Sequence, residues 1–241
     1  MNAFHASNPV FNPDTSLFVV WLFPNDVFSY TNSTTLGGGI GGFDGTPGVA
    51  GPIPPADLIA NAFNNITSSI SELAGKGARN FLVVNTPDLG LIPELLDADP
   101  AEKTFLSALS NGFNASLSSA VSGVAASKPE LDITYFEIDN LFAEVQSNPG
   151  AFGLTNAVDR CLGNPECQDP SEYLFWDGSH PTTAGHDLIG QRFFEAVYAP
   201  VPGPLPAAGV VVVLGWSRRM RSRIRRGEAY RLQASEPKNQ P

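Results

Sequence analysis

Two side chains near position 180 have the types and the spacing of an acid–base pair. Asp177 and His180 are separated by two residues in the stretch Trp-Asp-Gly-Ser-His-Pro. At this spacing in a turn, the carboxylate can accept a hydrogen bond from one imidazole nitrogen while the other faces outward as a base. A base with an orienting carboxylate makes up two members of a nucleophilic triad, and the pKa of histidine lies near neutrality. The alternative is an aspartate that caps the turn and a histidine exposed on a loop.

A helix is expected directly after this pair. Apolar residues recur at helical spacing from about Pro181 to Val197. A proline in the first helical turn would fix the entry of the chain and so hold His180 at the start of the helix.

A second polar pair follows an apolar run near the start of the chain. Leu17–Phe23 consists of seven consecutive apolar residues and is followed by Pro24, Asn25 and Asp26. Such a run predicts a strand that is buried on both faces, in the middle of a parallel sheet. Taken alone, Asn-Asp after a strand is equally explained as ordinary turn chemistry.

The remaining pattern alternates between strands and helices. Phe81–Val84 and Leu131–Ile138 are predicted strands, and apolar residues at helical spacing predict helices over Pro54–Ala74 and Pro100–Ser127. Strands that alternate with helices in this way are typical of a doubly wound α/β domain.

The two cysteines, Cys161 and Cys167, are separated by five residues. Metal sites usually need four ligands at tighter spacing, so no metal centre is expected. We predict a small loop closed by a disulfide, which implies an oxidising compartment; two unrelated free thiols are the alternative.

The charge of the chain is divided unevenly. Residues 1–216 contain six Lys and Arg against 22 Asp and Glu, a net charge of −16, whereas residues 217–241 contain eight against two, a net charge of +6. Because phosphate contacts need a cationic surface, the acidic part argues against a nucleic-acid partner.

The stretch Tyr173–His186, which reads Y-L-F-W-D-G-S-H-P-T-T-A-G-H, resembles the last sequence block of the GDSL (SGNH) esterases and lipases, in their lecithinase/hemolysin-like branch. The resemblance implies a three-layer α/β/α fold around a parallel sheet and hydrolysis of small-molecule or lipid carboxylic esters. It implies no metal and no organic cofactor. His180 would act as general base and then general acid, with Asp177 as its orienting partner and Trp176 beside them at the pocket.

Two earlier stretches extend the resemblance. Val20–Asp26 resembles the family's G-x-N-D block, with Phe23 where glycine is usual, so Asn25 would donate its amide to the oxyanion and Asp26 would lie at the pocket or brace the backbone. Phe81–Pro93 resembles a strand and loop of the form N-x-P-D-L-G-x-x-P. In a parallel sheet this loop leaves the carboxyl end of a strand, where ligands bind. Asn85 and Asp88 would then shape the pocket wall, with capping and turn roles as the alternative.

The family's nucleophile, the serine of a G-D-S motif, is absent from the sequence. Ser29, Ser33 and Ser179 lie on loops rather than on a strand-to-helix elbow and are not expected to replace it. The resemblance covers about Ser16 to Val197 and lacks the family's first two strands and first helix. We expect either that the start is internal to a longer gene or that the chain is a remnant. The rival function is that of a non-catalytic, surface-sorted binding protein.

The expected domain is residues 1–200, a partial SGNH hydrolase domain with a Gly/Pro-rich loop at 36–55. Residues 201–226 combine Val-Pro-Gly-Pro-Leu-Pro, a short apolar segment and an arginine cluster, and resemble a bacterial PEP-CTERM sorting tail. This tail implies export to the cell surface or beyond, with transient membrane contact through 205–226, although no export signal opens the chain. An interfacial or disordered basic tail is the alternative. Residues 227–241 are expected to be disordered.

Overall fold

The computed structural model of the protein describes residues 10–28 and 54–198. These residues form five strands and four helices, with a further helical stretch at residues 24–28. In chain order the elements are β1 (Leu17–Trp21), α1 (Pro55–Gly75), β2 (Asn80–Val84), α2 (Pro100–Ser127), β3 (Asp132–Phe136), α3 (Ile138–Ser147), β4 (Asn156–Arg160), β5 (Tyr173–Phe175) and α4 (Thr183–Tyr198).

The first three strands form one parallel sheet in the order β1-β2-β3. Phe81 of β2 pairs with Phe18 on one side and with Ile133 on the other. Strands β4 and β5 form a second, two-stranded parallel sheet. Because the strands within each sheet run in the same direction, the loops that follow β1, β2 and β3 all leave from the same end of the sheet, the carboxyl end of its strands.

Helices cover both faces of the three-stranded sheet. Phe81 and Val83 of β2 belong to an apolar cluster with α1 and α2, whereas Leu82 and Val84 belong to a second cluster with α3 and α4. Successive side chains of a strand point to opposite faces, so a fully buried β2 separates two helical layers. This arrangement confirms the predicted three-layer α/β/α fold.

Strand β1 differs from its prediction. It ends at Trp21 rather than Phe23, and within the described residues it pairs with β2 alone, at the edge of the sheet. Phe18 and Val20 pack into the cluster with α1 and α2, but Val19 on the opposite face is 52% exposed. The apolar run is typical of a middle strand, but within the described residues one edge of β1 has no paired strand and only one face is covered by helices along most of its length, as expected where the family's first two strands are lacking.

Helices α2 and α4 lie almost where the apolar spacing predicts them. Helix α2 has the predicted bounds, and Asp99 caps it by accepting a hydrogen bond from the Ala101 N–H. Helix α4 begins at Thr183 instead of Pro181. The Thr182 hydroxyl accepts the Gly185 N–H at 3.1 Å and so caps α4, while Pro181 forms an isolated antiparallel bridge with Phe175.

Two glycines of α4 differ in what surrounds them, which gives a matched test of how closely α4 packs on β5. A Cβ on Gly185 would meet the Leu174 carbonyl oxygen at 2.6 Å, whereas one on Gly190 would meet nothing within 4 Å. We expect Gly185→Ala to lower the free energy of unfolding by about 1–3 kcal/mol through overpacking. Gly190→Ala should raise it by about 0.5–1 kcal/mol through helix propensity. Urea unfolding measures both, and changes of the same sign would contradict the close approach.

Several predicted segments fall outside the described residues. They include most of the loop at 36–55 and the whole tail from 201 onward, as well as Ser29 and Ser33. Among the helices that the structure describes, none is both long and apolar enough to cross a membrane.

Candidate active site

The turn after β5 brings the carboxylate of Asp177 against the imidazole of His180. The Nδ1 atom of His180 lies 2.9 Å and 3.0 Å from the two carboxylate oxygens. The backbone N–H of Trp176 donates to the His180 carbonyl at 2.8 Å and closes the turn. A pair separated by two residues therefore meets as its spacing predicts.

Two backbone donors fix the same carboxylate. Oδ1 of Asp177 accepts the Ser179 N–H at 2.9 Å and the His180 N–H at 2.7 Å. Partial burial opposes ionisation of Asp177, but these hydrogen bonds, together with the one to the imidazole, outweigh it and hold the pKa of the carboxyl below its usual value. The group is thus an acceptor at neutral pH, and Nδ1 must carry the proton that it receives. Because the folded pKa is depressed, this contribution to stability is present above the unfolded pKa and is lost as the pH falls through the folded one.

The second imidazole nitrogen, Nε2, is free for chemistry. The side chain of His180 is 75% exposed, and within the described residues no side chain hydrogen-bonds to Nε2. The hydroxyl of Ser179 lies 3.5 Å from Nδ1, the nitrogen that Asp177 already occupies. Ser179 therefore contacts the wrong nitrogen for activation by this base.

Asn25 lies at the start of the helical stretch that follows β1. Its side chain is exposed, and that of Asp26 is half-buried, where desolvation raises the pKa of its carboxyl. The turn into this stretch runs through Phe23, which has a φ of +111°. Non-glycine residues rarely adopt positive φ, so the position where the family usually has glycine does require an unusual backbone.

A cleft joins the two regions. A cavity of about 600 Å³ is lined by Phe28, one turn after Asn25, and by Ser179, next to His180; Leu95 and Leu106 also line it. The helical stretch after β1 and the Asp177–His180 turn thus border the same cavity.

Asn85 and Asp88 make the contacts of capping residues. Asn85 is 1% exposed. Its side-chain carbonyl oxygen accepts the Ile138 N–H at 2.8 Å at the start of α3, and its side-chain amide donates to Asp139 at 2.7 Å. Asp88 accepts the Gly90 N–H at 2.9 Å. These bonds agree with the capping and turn roles that the sequence left open; a place in the pocket wall stays a prediction.

Comparison with known proteins identifies the family. The family model described as GDSL-like Lipase/Acylhydrolase matches residues 1–193. The chain belongs to this family. Among curated proteins, it is similar to two GDSL esterases/lipases of Arabidopsis thaliana. Both are 31% identical to it, one over 54% of the chain and the other over 58%. It is also 32% identical, over 61% of its length, to an uncharacterized protein of Pseudomonas putida from the trpE-trpG intergenic region.

The chain matches only part of each of these relatives. The matched segments span 39% and 42% of the two Arabidopsis proteins and 26% of the Pseudomonas protein. The chain thus aligns with less than half the length of each of these curated relatives.

Trp176 directly precedes the Asp177–His180 turn of this GDSL-family domain. Its side chain is 41% exposed and lines a second cavity of about 700 Å³, together with Pro181 and Asp187. Within residues 10–28 and 54–198, no three His, Cys, Asp or Glu side chains are grouped as a metal site.

The predicted disulfide is present between Cys161 and Cys167, whose Cα atoms lie 5.2 Å apart, within the usual range. It closes the loop directly after β4. The Cys161 N–H donates to the Phe175 carbonyl at 3.0 Å, and the Leu162 N–H donates to the Trp176 carbonyl at 2.7 Å. The disulfide loop is therefore hydrogen-bonded to the residues that lead into the Asp177–His180 turn of the GDSL-family domain.

Removal of this disulfide has a calculable effect on stability. A short loop of this size restricts the unfolded chain enough that the double variant Cys161→Ser/Cys167→Ser should lose about 2 kcal/mol of unfolding free energy. Chemical denaturation measures the loss. Dithiothreitol should lower the stability of the wild type by a similar amount and leave the variant unchanged, since the chain has no other cysteine; a wild type indifferent to reductant would contradict this expectation.

Proposed function

We propose that this chain carries the acid–base part of a carboxylic ester hydrolase. The observation that supports this most directly is the 2.9 Å contact between Asp177 and Nδ1 of His180, a side chain that is 75% exposed and so leaves Nε2 accessible. Nε2 would take the proton of a serine hydroxyl as its oxygen attacks the ester carbonyl. The same nitrogen would return the proton to the leaving alkoxide, and would then activate a water molecule to release the acid.

The two remaining roles concern charge. The Asp177 carboxylate would stabilise the imidazolium that forms during each proton transfer, since it faces Nδ1 directly. Asn25 would donate its side-chain amide to the oxyanion of the tetrahedral intermediate, as the resemblance of its block implies. A donor of this kind is worth on the order of 3 kcal/mol of transition-state stabilisation. Its support here is its place after β1, in the helical stretch whose next turn borders the same cavity as Ser179.

We propose that the attacking serine comes from sequence outside these 241 residues. The sequence has no G-D-S motif, and Ser179 meets Nδ1 rather than Nε2. The greater length of the curated relatives also supports this proposal.

The function is tested by comparing the 241-residue chain with an N-terminally extended form translated from the DNA upstream of its first codon. We expect the extended form to hydrolyse 4-nitrophenyl butyrate and to react with a fluorophosphonate probe. The 241-residue chain should do neither, because it lacks the nucleophile. Labelling of a serine in the 241-residue chain would contradict the assignment of the nucleophile. A properly folded extended form that contains G-D-S and hydrolyses no ester would contradict the function itself.

We further propose an exported, bacterial protein of the lecithinase/hemolysin-like branch that uses residues 201–226 as a sorting tail. The disulfide supports an oxidising compartment. The Val-Pro-Gly-Pro-Leu-Pro segment, followed by apolar residues and arginines, supports the tail.

A further inference from the structure

We propose that residues 88–95, called here the 88–95 segment, position the Asp177–His180 turn, with Glu94 as the positioning residue. The proposal rests on the proposed function, because it concerns the same imidazole. It adds that the position of His180 depends on residues outside the turn. The contacts that carry it run from helix α2 through the 88–95 segment to Gly178.

The 88–95 segment is anchored on α2. A Cβ on Gly90 would collide with the Lys103 carbonyl oxygen and the Ser107 hydroxyl, so only glycine permits this approach. The Ser107 hydroxyl donates to Asp88 at 2.6 Å, and the Leu89 N–H donates to the Ser110 hydroxyl at 3.1 Å. Apolar side chains of the segment are buried, among them those of Leu89, Ile92 and Leu95. These contacts fix the segment to a long helix.

The far end of the segment contacts the middle of the turn. The Glu94 N–H donates to the Gly178 carbonyl at 2.9 Å. The Glu94 side chain lies against the Gly178 Cα, so that a Cβ on Gly178 would collide with the Glu94 carboxylate and would lie 3.1 Å from the Glu94 Cβ. Although Glu94 itself is exposed, Gly178 is buried beneath it. The backbone N–H of Glu94 therefore holds Gly178 from outside the turn, and the Glu94 side chain occupies the space that a side chain at position 178 would need.

Within the described residues, the bond from Glu94 is the only hydrogen bond that reaches residues 177–180 from a segment not adjacent in sequence. The remaining bonds join Asp177, Ser179 and His180 to one another and to Trp176. They hold the imidazole against Asp177, whereas the bond from Glu94 holds Gly178, which lies between these two residues, and so fixes the conformation of the turn in which they meet. A displacement of about 1 Å can cost 10²-fold in rate, so this second constraint bears on catalysis.

The test uses the tautomer of His180, which does not depend on hydrolysis. Long-range 1H–15N NMR spectra of the 241-residue chain report whether Nδ1 or Nε2 carries the proton, and His180→Ala assigns the signals. We expect the Nδ1–H tautomer in the wild type and a several-fold rise in the Nε2–H fraction in Gly178→Ala. Adding Glu94→Ala should restore most of the wild-type ratio, because it removes the carboxylate that the new methyl group meets.

Three further measurements keep the proposal open to refutation. Gly150→Ala, at a glycine of the short 3-10 helix Pro149–Phe152 where the nearest atom to a Cβ lies 4.0 Å away, should leave the tautomer ratio unchanged. Asp88→Ala, which loosens the anchor without touching the turn, should also raise the Nε2–H fraction. In the extended form, Gly178→Ala should lower kcat/KM by about ten- to a hundredfold, with partial recovery in the double variant.

An unchanged tautomer ratio in Gly178→Ala, no rescue by Glu94→Ala, or no response to Asp88→Ala would each overturn the proposal. If Gly178→Ala fails to fold, Asp88→Ala and the Glu94→Ala/Gly178→Ala double variant decide it by the same spectra. A correct tautomer response without any ester hydrolysis in the extended form would instead refute the proposed function and leave the positioning role intact.

Discussion

Replacement of His180 by alanine is expected to lower kcat/KM for ester hydrolysis by about 10³-fold or more in the extended form of the protein. The reason is that Nε2 of His180 is the exposed nitrogen of an imidazole whose other nitrogen faces Asp177 at 2.9 Å. Without it, neither the attacking hydroxyl nor the leaving group exchanges its proton with a positioned base. Initial rates with 4-nitrophenyl butyrate measure the loss.

A matched control is available in the same part of the chain. His186 is another exposed histidine, on α4, and its imidazole has no carboxylate partner among the described contacts. His186 lines the cavity that Trp176 also lines but faces no carboxylate among the described contacts, so His186→Ala should cost far less of the rate than His180→Ala does. Equal rates in the His180→Ala and His186→Ala variants would remove His180 from its role.

Asp177→Asn tests the orienting half of the pair. An asparagine carbonyl can still accept the Ser179 and His180 N–H groups, so the turn should remain folded. The asparagine no longer offers two anionic acceptors to Nδ1 and can present an N–H instead, which favours the wrong tautomer. We expect a loss of about 10³- to 10⁴-fold in kcat. Full activity of Asp177→Asn, with an inactive His180→Ala, would show that the imidazole needs no carboxylate.

Replacement of Phe23 is expected to have the largest effect on stability among single substitutions near the site. Its ring is 2% exposed and stacks on Phe113 with centroids 3.9 Å apart and planes 3° apart. Loss of a buried phenylalanine costs about 3–5 kcal/mol, so Phe23→Ala should lower the unfolding free energy by that amount. Urea denaturation measures it.

The positive φ of Phe23 also predicts which of two variants, Phe23→Ala or Phe23→Gly, is the more stable. Alanine at φ +111° keeps a backbone cost of about 1–3 kcal/mol, which glycine does not have. Glycine loses about 0.5–1 kcal/mol through the entropy of the unfolded chain. Phe23→Gly should therefore be at least as stable as Phe23→Ala, although it removes one more carbon.

The opposite order is expected at a helical control position. Phe105 lies within α2 and is 41% exposed, so Phe105→Gly should be about 1 kcal/mol less stable than Phe105→Ala. If Phe23 shows the same order as Phe105, the strained turn before Asn25 is not a property of the protein in solution. If the orders differ, the buried stack on Phe113 maintains a backbone conformation that phenylalanine alone disfavours.

Local features of this protein could be predicted from the sequence because they depend on residues close together in the chain. The bounds of α2 follow from helical periodicity and a proline at its first position, and Cys161 and Cys167 meet across a short loop. The contact between Asp177 and His180 needs only one turn. Fold class follows for the same reason, since alternating strand and helix patterns restrict the sheet to parallel pairing.

The short elements were less accessible to sequence reasoning. Helix α3 begins where a strand was expected to continue, since the apolar run Leu131–Ile138 serves β3 and then the first residue of α3. Strand β5 has three residues and β4 a bulged register, too little for a periodicity to emerge. In such segments tertiary pairing, rather than local preference, decides the conformation.

What the sequence determined by itself is the chemistry: a histidine with its carboxylate, a disulfide, and the helices and strands that alternate around them. What only the tertiary structure decided is which parts meet. In it, β1 lies at the edge of the described sheet and Phe23 stacks on Phe113. Asn85 accepts a hydrogen bond at the start of α3, and Glu94 donates one to Gly178. These contacts join residues far apart in the chain, and their formation depends on the packing of whole helices against the sheet. No local pattern of residue types records that packing.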